Sequence, residues 1–514
     1  MKTSARLTAD GAELRQASPA GAGPLAKDTA LLASLLYPAA VSILFVIVYW
    51  NRMLSHDVAV YVLAARDWLD GAVLYRDVID INPPLNFYLT VPAILLSDLL
   101  NLSPDNGAYV AFALLVFASL HWCFRILHDE QGMTPSEAGL MTLAVGFSIL
   151  VSARFEQIQR DGLLLVFMMP WLVSQLGPRP NAPGMFRTVF FGLGVCLKPY
   201  FIVFPLSITA YQVLRQRSHR PILSPSNLTL LAVGLSYGAF VALVHPLYFS
   251  DIVPRAREVY GNISASPGFI RMRLQLAGFP VLGMVLVLAL RARSLPAGTG
   301  VFVTALLASV VSYLWQGNGF GYHLYPFFCF AFLTAFWVLF RGEGLRFQKV
   351  ACIFAVGAIL FGFTRMGFYH DKGVEEVVAM TEGLPAQSIW VLSTDSAAGP
   401  GAALAMRRSW AVRYPHNWVA PGVVDGRAKT DCVQEPDACA RYDELHRLNA
   451  SQYASDLLNK RPEIAVIDNR RYFFETQDFD WYAYMSVAPE FGEAMDRYEL
   501  HASSENFDVY LRKQ

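Results

Sequence analysis

The sequence predicts an α-helical polytopic membrane protein of about 11 transmembrane helices with a small C-terminal α/β domain. Three observations predict it. Hydrophobic residues make up 54% of the 514 residues and charged residues 16%, with a mean hydropathy of +0.36, too apolar and too charge-poor for a chain whose only solvent is water. Apolar runs suited to crossing a bilayer recur at residues 30–50, 107–127, 137–153, 162–177, 186–198, 200–214, 227–248, 277–291, 299–315, 323–340 and 349–366. Beyond them, residues 367–514 are much more polar. The 41 basic and 41 acidic residues balance, so no basic excess points to nucleic acid.

Residues 1–29, rich in Ala, Gly, Ser and Pro and carrying Lys2, Arg6, Arg15 and Lys27, read as a disordered basic tail. The run at 30–50 is too long for a cleaved signal core and is expected to be a signal anchor with its N-terminus in the cytoplasm. Asn86 to Leu102 is a further apolar candidate. Pro92 and Asp98 interrupt it and Asn82, Asn86 and Asn101 frame it, which suits the membrane surface better than its centre. Without that segment as a crossing, the cytoplasmic loops receive Arg125, Arg179, Arg187, Arg215, Arg217, Arg220, Arg291, Arg293, Arg341, Arg346 and Lys349, the bias expected inside. With it, Arg154, Arg160, Lys198, Arg255, Arg257, Arg271 and Arg273 would lie inside instead. The first topology is favoured by a modest margin.

That topology divides the chain into a cytoplasmic tail at 1–29, a transmembrane domain at 30–366 and an extracytoplasmic domain at 367–514. The external loops are 51–106, 154–161, 249–277 and 316–322. In the C-terminal domain the expected strands are Ser388 to Ser393, Glu463 to Asp468 and Phe507 to Leu511, with a helix over Tyr442 to Asn459. Cys432 and Cys439 are a disulfide candidate there if the compartment is oxidising, and two free thiols otherwise. Cys123, Cys196, Cys329 and Cys352 lie in apolar runs as small hydrophobes.

Four polar constellations stand out. The first loop reads SHDVAVYVLAARDWLDG, with Val58, Val62, Ala65 and Leu69 on one helical stripe and Asp57, Tyr61 and Trp68 on the next. This predicts a short helix on the membrane surface, ended by Gly71, after which Asn82, Pro83 and Pro84 turn the chain back. Asp57 at its start could take a proton from an acceptor hydroxyl. It suits a helix N-cap as well, and spacing alone favours the cap. The second constellation places Arg154, Glu156, Arg160 and Asp161 at the start of a crossing, as a polar cavity or as interfacial anchors. In the third, Lys198 precedes the helix-breaking Pro199 and can reach a phosphate or snorkel to headgroups. The fourth, WQGNGFGYHLYP, offers Gln316, Asn318, Tyr322 and His323 beside three flexible glycines, without the Lys-Ser or Lys-Thr of a phosphate loop. There is no zinc-type Cys/His spacing.

Taken in order, these pieces resemble the GT-C superfamily of membrane glycosyltransferases, in particular the branch of the protein O-mannosyltransferases and the lipid A aminoarabinose transferase. The likeness lies in HDVAVYVLAA, the Gly-x-x-x-Tyr of Gly71 to Tyr75, the Pro-Pro-Leu of Pro83, Pro84 and Leu85, Asp161 opening a crossing, Lys198 before an aromatic re-entry, and Tyr-His-x-Tyr-Pro at Tyr322 to Pro326. It covers about residues 30–366. His56 before the aspartate and Asn82 before the prolines depart from the pattern.

The resemblance implies a GT-C-like transmembrane domain in a bacterial inner membrane that moves a sugar from a polyprenyl-phosphate donor to a glycan, lipid or protein acceptor at the periplasmic face, with inversion. Asp57 would be the general base, and Lys198, Arg160 and His323 would stabilise the departing phosphate. Asp161 would orient the acceptor or share a divalent cation with Asp57, although two carboxylates are too few to define a metal site. His56, Tyr61, Arg154 and Tyr322 complete the substrate-binding set, and Arg255, Arg257, Arg271 and Arg273 would meet anionic headgroups or a lipid-linked acceptor. A transporter or lipid-linked oligosaccharide flippase is the rival reading. It lacks support from any clear inverted repeat, and the polar residues gather at one membrane face. A receptor with an anchoring membrane domain needs fewer crossings than these.

Overall fold

The computed structural model describes residues 24–513 apart from 154, 178–182, 264–266, 471–473 and 475–478, with backbone only at 24–27, 262–263 and 267–277. Each of the apolar runs forms a helix: Pro24–Tyr49, Pro104–Arg125, Pro135–Ser152, Arg160–Val173, Met185–Cys196, Val203–Gln216, Pro225–Val244, Pro267–Ala289, Thr299–Gln316, Tyr325–Arg341 and Arg346–Met366. Seven of the described helices are long and apolar enough to cross a membrane. Lipid is the natural solvent for Pro225–Val244, where Leu228, Leu231, Leu235, Phe240 and Leu243 are all exposed while polar Ser226 is buried, the reverse of a helix in water.

Other helices are too short to cross alone. Met185–Cys196 has 12 residues and Arg160–Val173 has 14, about 18–21 Å of rise against a core of about 30 Å. Between Cys196 and Val203 the chain breaks at Lys198, which is extended (φ −147°, ψ 137°) before a single 3₁₀ turn, Pro199–Ile202. Non-helical backbone at such depth is tolerated where protein buries it or it lines a cavity. Lys198 is buried there.

The first-loop helix spans His56–Leu69 and buries an unbroken run from Val58 to Ala65. Gly71, at φ 102°, is the residue type that allows the chain to turn off the helix there. Ser55, and not Asp57, occupies the N-cap position, and its side chain makes no cap hydrogen bond. Asp57 stands in the first turn, so the cap expectation gives way to a side chain free for other partners. Asn86 to Leu102, expected at the membrane surface, forms the helix Leu85–Leu100, packed against His56–Leu69 and Pro104–Arg125.

The C-terminal domain is a five-stranded sheet of order β2-β1-β3-β5-β4: β1 Ser388–Leu392, β2 Ser409–Trp410, β3 Ile464–Asp468, β4 Tyr498–Ser503 and β5 Phe507–Arg512. β1 pairs in parallel with β2 and β3, and β5 pairs antiparallel with β3 and β4. The expected strands are β1, β3 and β5. The helix expected at Tyr442 to Asn459 is longer, Pro436–Lys460, and a disulfide between Cys432 and Cys439 ties its first turns to the preceding chain.

This domain is seated on the membrane domain. The Ile79 amide donates to the Arg413 carbonyl at 2.7 Å, Arg255 Nη1 donates to the Tyr414 hydroxyl at 2.9 Å, and Arg441 meets Glu258 at 2.9 Å. Gly422 lies so close to the Val259 carbonyl oxygen that a Cβ would approach it to 2.2 Å.

Candidate active site

The break between the first crossing and its surface helix puts His56 and Asp57 at the edge of a cavity of about 80 Å³, room for roughly three waters at about 30 Å³ each. Arg160 and Tyr322 line it from the membrane domain, and Thr394, Ser396, His416 and Trp418 line it from the C-terminal domain. Of the residues singled out in the sequence, His56, Asp57, Arg160 and Tyr322 therefore share one space.

Asp57 Oδ2 lies 3.5 Å from Arg160 Nη2, and its Oδ1 lies 3.5 Å from His56 Nε2. Arg160 is steadied by Nη1 donating to Asn82 Oδ1, and its guanidinium stands 5.9 Å from the centre of the Tyr61 ring. Burial acts to raise the Asp57 pKa, but His56, Arg160 and Lys198 together outweigh it and hold the carboxyl below its ordinary value. Asp57 is therefore ionised at neutral pH. Burial disfavours the His56 imidazolium, yet Asp57, Glu156, Asp395 and Asp371 more than offset this, and its pKa is raised. His56 is thus a second basic neighbour of Asp57, beside Arg160.

Behind Tyr322 lies the remainder of the set. Lys198 Nζ is 4.9 Å from the Tyr322 ring centre and donates to Asp161 Oδ2 at 2.6 Å and Gln316 Oε1 at 3.0 Å. Its side chain is 5% exposed and that of Asp161 1%, so Lys198 forms a buried ion pair instead of snorkelling to headgroups. His323 packs edge-on against Tyr322, with ring centres 4.5 Å apart. Tyr61, Asp161, Lys198 and His323 are not on the cavity wall but are linked to it through Arg160 and Tyr322.

Several buried polar atoms around this cluster have no hydrogen-bond partner: Tyr61 Oη, Asp80 Oδ2, Arg160 Nε, Asp161 Oδ1, His323 Nδ1 and His416 Nδ1. Native interiors leave few such atoms unmatched. Of these residues Arg160 and His416 line the cavity, and the other four lie behind its wall.

Arg154 lies outside the described residues, as do the side chains of Arg271 and Arg273. Arg255 is buried and committed to Asp251 and Tyr414, which makes it a clamp between domains and not a headgroup contact. Among the described residues no group of three or more His, Cys, Asp or Glu side chains is placed to hold a metal ion.

Sequence reasoning missed Asp80 and His416. Asp80 Oδ1 accepts from the Asn82 amide at 2.7 Å, and burial pushes its pKa up to about 6. Its signal was the carboxylate two residues ahead of Asn82 in the Pro-Pro turn. His416 carries no such signal, since only the fold brings a residue 359 positions beyond Asp57 to the same cavity.

No family model matches the chain, and no curated protein matches it significantly. Among solved structures it is similar to ArnT from Cupriavidus metallidurans bound to undecaprenyl phosphate, with a TM-score of 0.53, 13% sequence identity, and 95% of this chain and 97% of that one covered. The chain thus has a GT-C-like fold over nearly its whole length, C-terminal domain included.

Proposed function

We propose that this protein is a glycosyltransferase that moves a sugar from a polyprenyl-phosphate donor to an acceptor hydroxyl on a glycan, lipid or protein. The observation that carries the reading is an ionised, half-buried Asp57 beside Arg160, in a cavity whose lining residues Arg160 and His416 each carry a buried polar atom without a partner. Asp57 accepts the acceptor's hydroxyl proton as that oxygen bonds to the anomeric carbon. The bond from that carbon to the phosphate oxygen breaks, its electrons leave with the polyprenyl phosphate, and Arg160, Lys198 and His323 offset the charge released. A single displacement inverts the anomeric centre.

Similarity in fold to a protein solved with undecaprenyl phosphate supports the lipid donor. Charge asymmetry between the loops supports an extracytoplasmic cavity and C-terminal domain with a cytoplasmic N-terminus, in a bacterial inner membrane. The disulfide between Cys432 and Cys439 supports the same side, since such bonds persist in oxidising compartments. Asp57→Asn tests the chemistry. Transfer in membranes supplied with lipid-linked donor is expected to fall about 10²–10⁴-fold, the range for a lost general base, with expression intact. Unchanged transfer removes Asp57 from the mechanism.

A further inference from the structure

The C-terminal domain meets the cavity with the end of its sheet that α/β folds use for ligands. β1 lies between β2 and β3 and is parallel to both. From β1 the chain leaves towards β2, and from β3 it leaves towards β4 and β5 on the other side, so a switch point falls at the carboxyl ends of β1 and β3. Thr394 and Ser396 follow β1, and His416 and Trp418 follow β2. All four line the cavity.

The described charged groups at this end are turned on one another. Arg470 donates to Asp395 and Asp468, each at 2.8 Å, and Ser393 Oγ donates to Asp468 Oδ2 at 2.6 Å. The wall itself carries the side chains of Thr394 and Ser396, the Trp418 indole, whose N–H donates to the Ile79 carbonyl at 3.5 Å, and the His416 imidazole. Burial pushes the His416 pKa down to about 4, so the imidazole is neutral, and its Nδ1 is buried without a partner. The cavity therefore has a floor of His56 with the charged Asp57 and Arg160, and an uncharged roof that offers hydrogen bonds and a ring. Among the described residues a phosphate or carboxylate finds no cation on that roof. A polyhydroxylated ring finds hydroxyl, imidazole and aromatic partners.

We infer that the C-terminal domain is a sugar-binding element, whose roof of Thr394, Ser396, His416 and Trp418 takes a neutral sugar ring. The inference rests on the transferase reading for the fate of that sugar, which belongs either to the lipid-linked donor or to a glycan acceptor.

Full-length protein in nanodiscs, free of glycoside detergents, is to be examined by saturation-transfer NMR with methyl glycosides of neutral hexoses, a hexuronic acid and a hexose 6-phosphate. The neutral glycosides are expected to bind in preference to both anions. His416→Ala and Ser396→Ala are each expected to weaken that binding about five-fold, as loss of one neutral hydrogen bond does, at unchanged melting temperature. If His416→Ala does not fold, Ser396→Ala and His416→Gln carry the test. Preference for an anionic sugar, or wild-type binding in the variants, overturns the inference. Displacement of the glycoside by polyprenyl-phosphate hexose assigns the roof to the donor sugar, and persistence of both together assigns it to an acceptor glycan. Neutral-sugar binding that survives while Asp57→Asn leaves transfer intact would sink the catalytic reading alone. Asp57-dependent transfer without roof-dependent binding would sink this inference alone.

Discussion

Lys198→Met separates catalysis from structure at the least exposed ion pair among the described residues. Lys198 Nζ and Asp161 Oδ2 are 2.6 Å apart, with side chains 5% and 1% exposed. Methionine keeps an unbranched stem against Phe201 and Tyr322 but removes the ammonium. Asp161 Oδ1 already lacks a partner, so the substitution leaves both oxygens of a buried carboxylate uncompensated. Breaking such a pair by removing one member costs about 3–5 kcal/mol. Adding Asp161→Asn removes the orphaned charge and leaves only an underbonded amide, which costs about 1–3 kcal/mol, so the double variant should recover roughly 2 kcal/mol of the loss. Buried Cys123 and Cys329 allow unfolding of the purified protein to be followed with a thiol-reactive dye. Lys198→Met should melt well below wild type and the double variant between them. Neither should transfer sugar if the ammonium offsets the leaving phosphate. Recovery of transfer together with stability would make the pair structural only, and a Lys198→Met protein melting with wild type would refute the energetic argument itself.

Two further outcomes follow from contacts elsewhere. His56 is the first of the groups that hold the Asp57 pKa down against burial, so His56→Gln should raise that pKa and move the acid limb of the transfer profile to higher pH. An unmoved or lowered limb contradicts the assignment. The stability signs differ between the two residues. What Asp57 contributes is present above its unfolded pKa near 3.8 and lost as pH falls through the depressed folded value, whereas the contribution of His56 is present below 6.5 and lost as pH rises through its raised folded value. Gly422→Ala puts a methyl 2.2 Å from the Val259 carbonyl oxygen and should cost about 1–3 kcal/mol, the usual range for overpacking. It should also make the interface between the domains more sensitive to limited proteolysis, and a wild-type digestion pattern would contradict the close approach.

The helices were legible because lipid and a packed interior both demand long apolar runs, and the run at each expected crossing became a helix. β1, β3 and β5 were legible as short apolar or alternating strands between turns. β2 was not, because its two residues, Ser409 and Trp410, carry no period, and neither was β4, whose sequence YELHAS is too polar to read as a strand without its partner. Asp57, Arg160, Lys198 and Tyr322 were legible by type and order. Their pairings were not: nothing local says that Lys198 turns inward to Asp161 or that Asn82 holds Arg160. The roof was the least legible part, since a histidine in a soluble domain declares no relation to an aspartate at a membrane boundary until the sheet is docked.

Arg160 and Asp161 are neighbours at the start of one helix, and the distances they make decide which carboxylate is suited to proton transfer. Asp161 is engaged by Lys198 at 2.6 Å in a nearly water-free interior, in a strong charge-assisted bond. Asp57 meets Arg160 at 3.5 Å and His56 at 3.5 Å, close enough to keep it ionised and too far for either contact to be a strong hydrogen bond. Asn82 maintains that difference by taking the other Nη of Arg160, so the guanidinium is shared and does not close on Asp57. A tight pair there would hold the carboxylate as firmly as Lys198 holds Asp161. The looser contact leaves Asp57 charged, cavity-facing and free to accept a proton, which is the combination a general base requires.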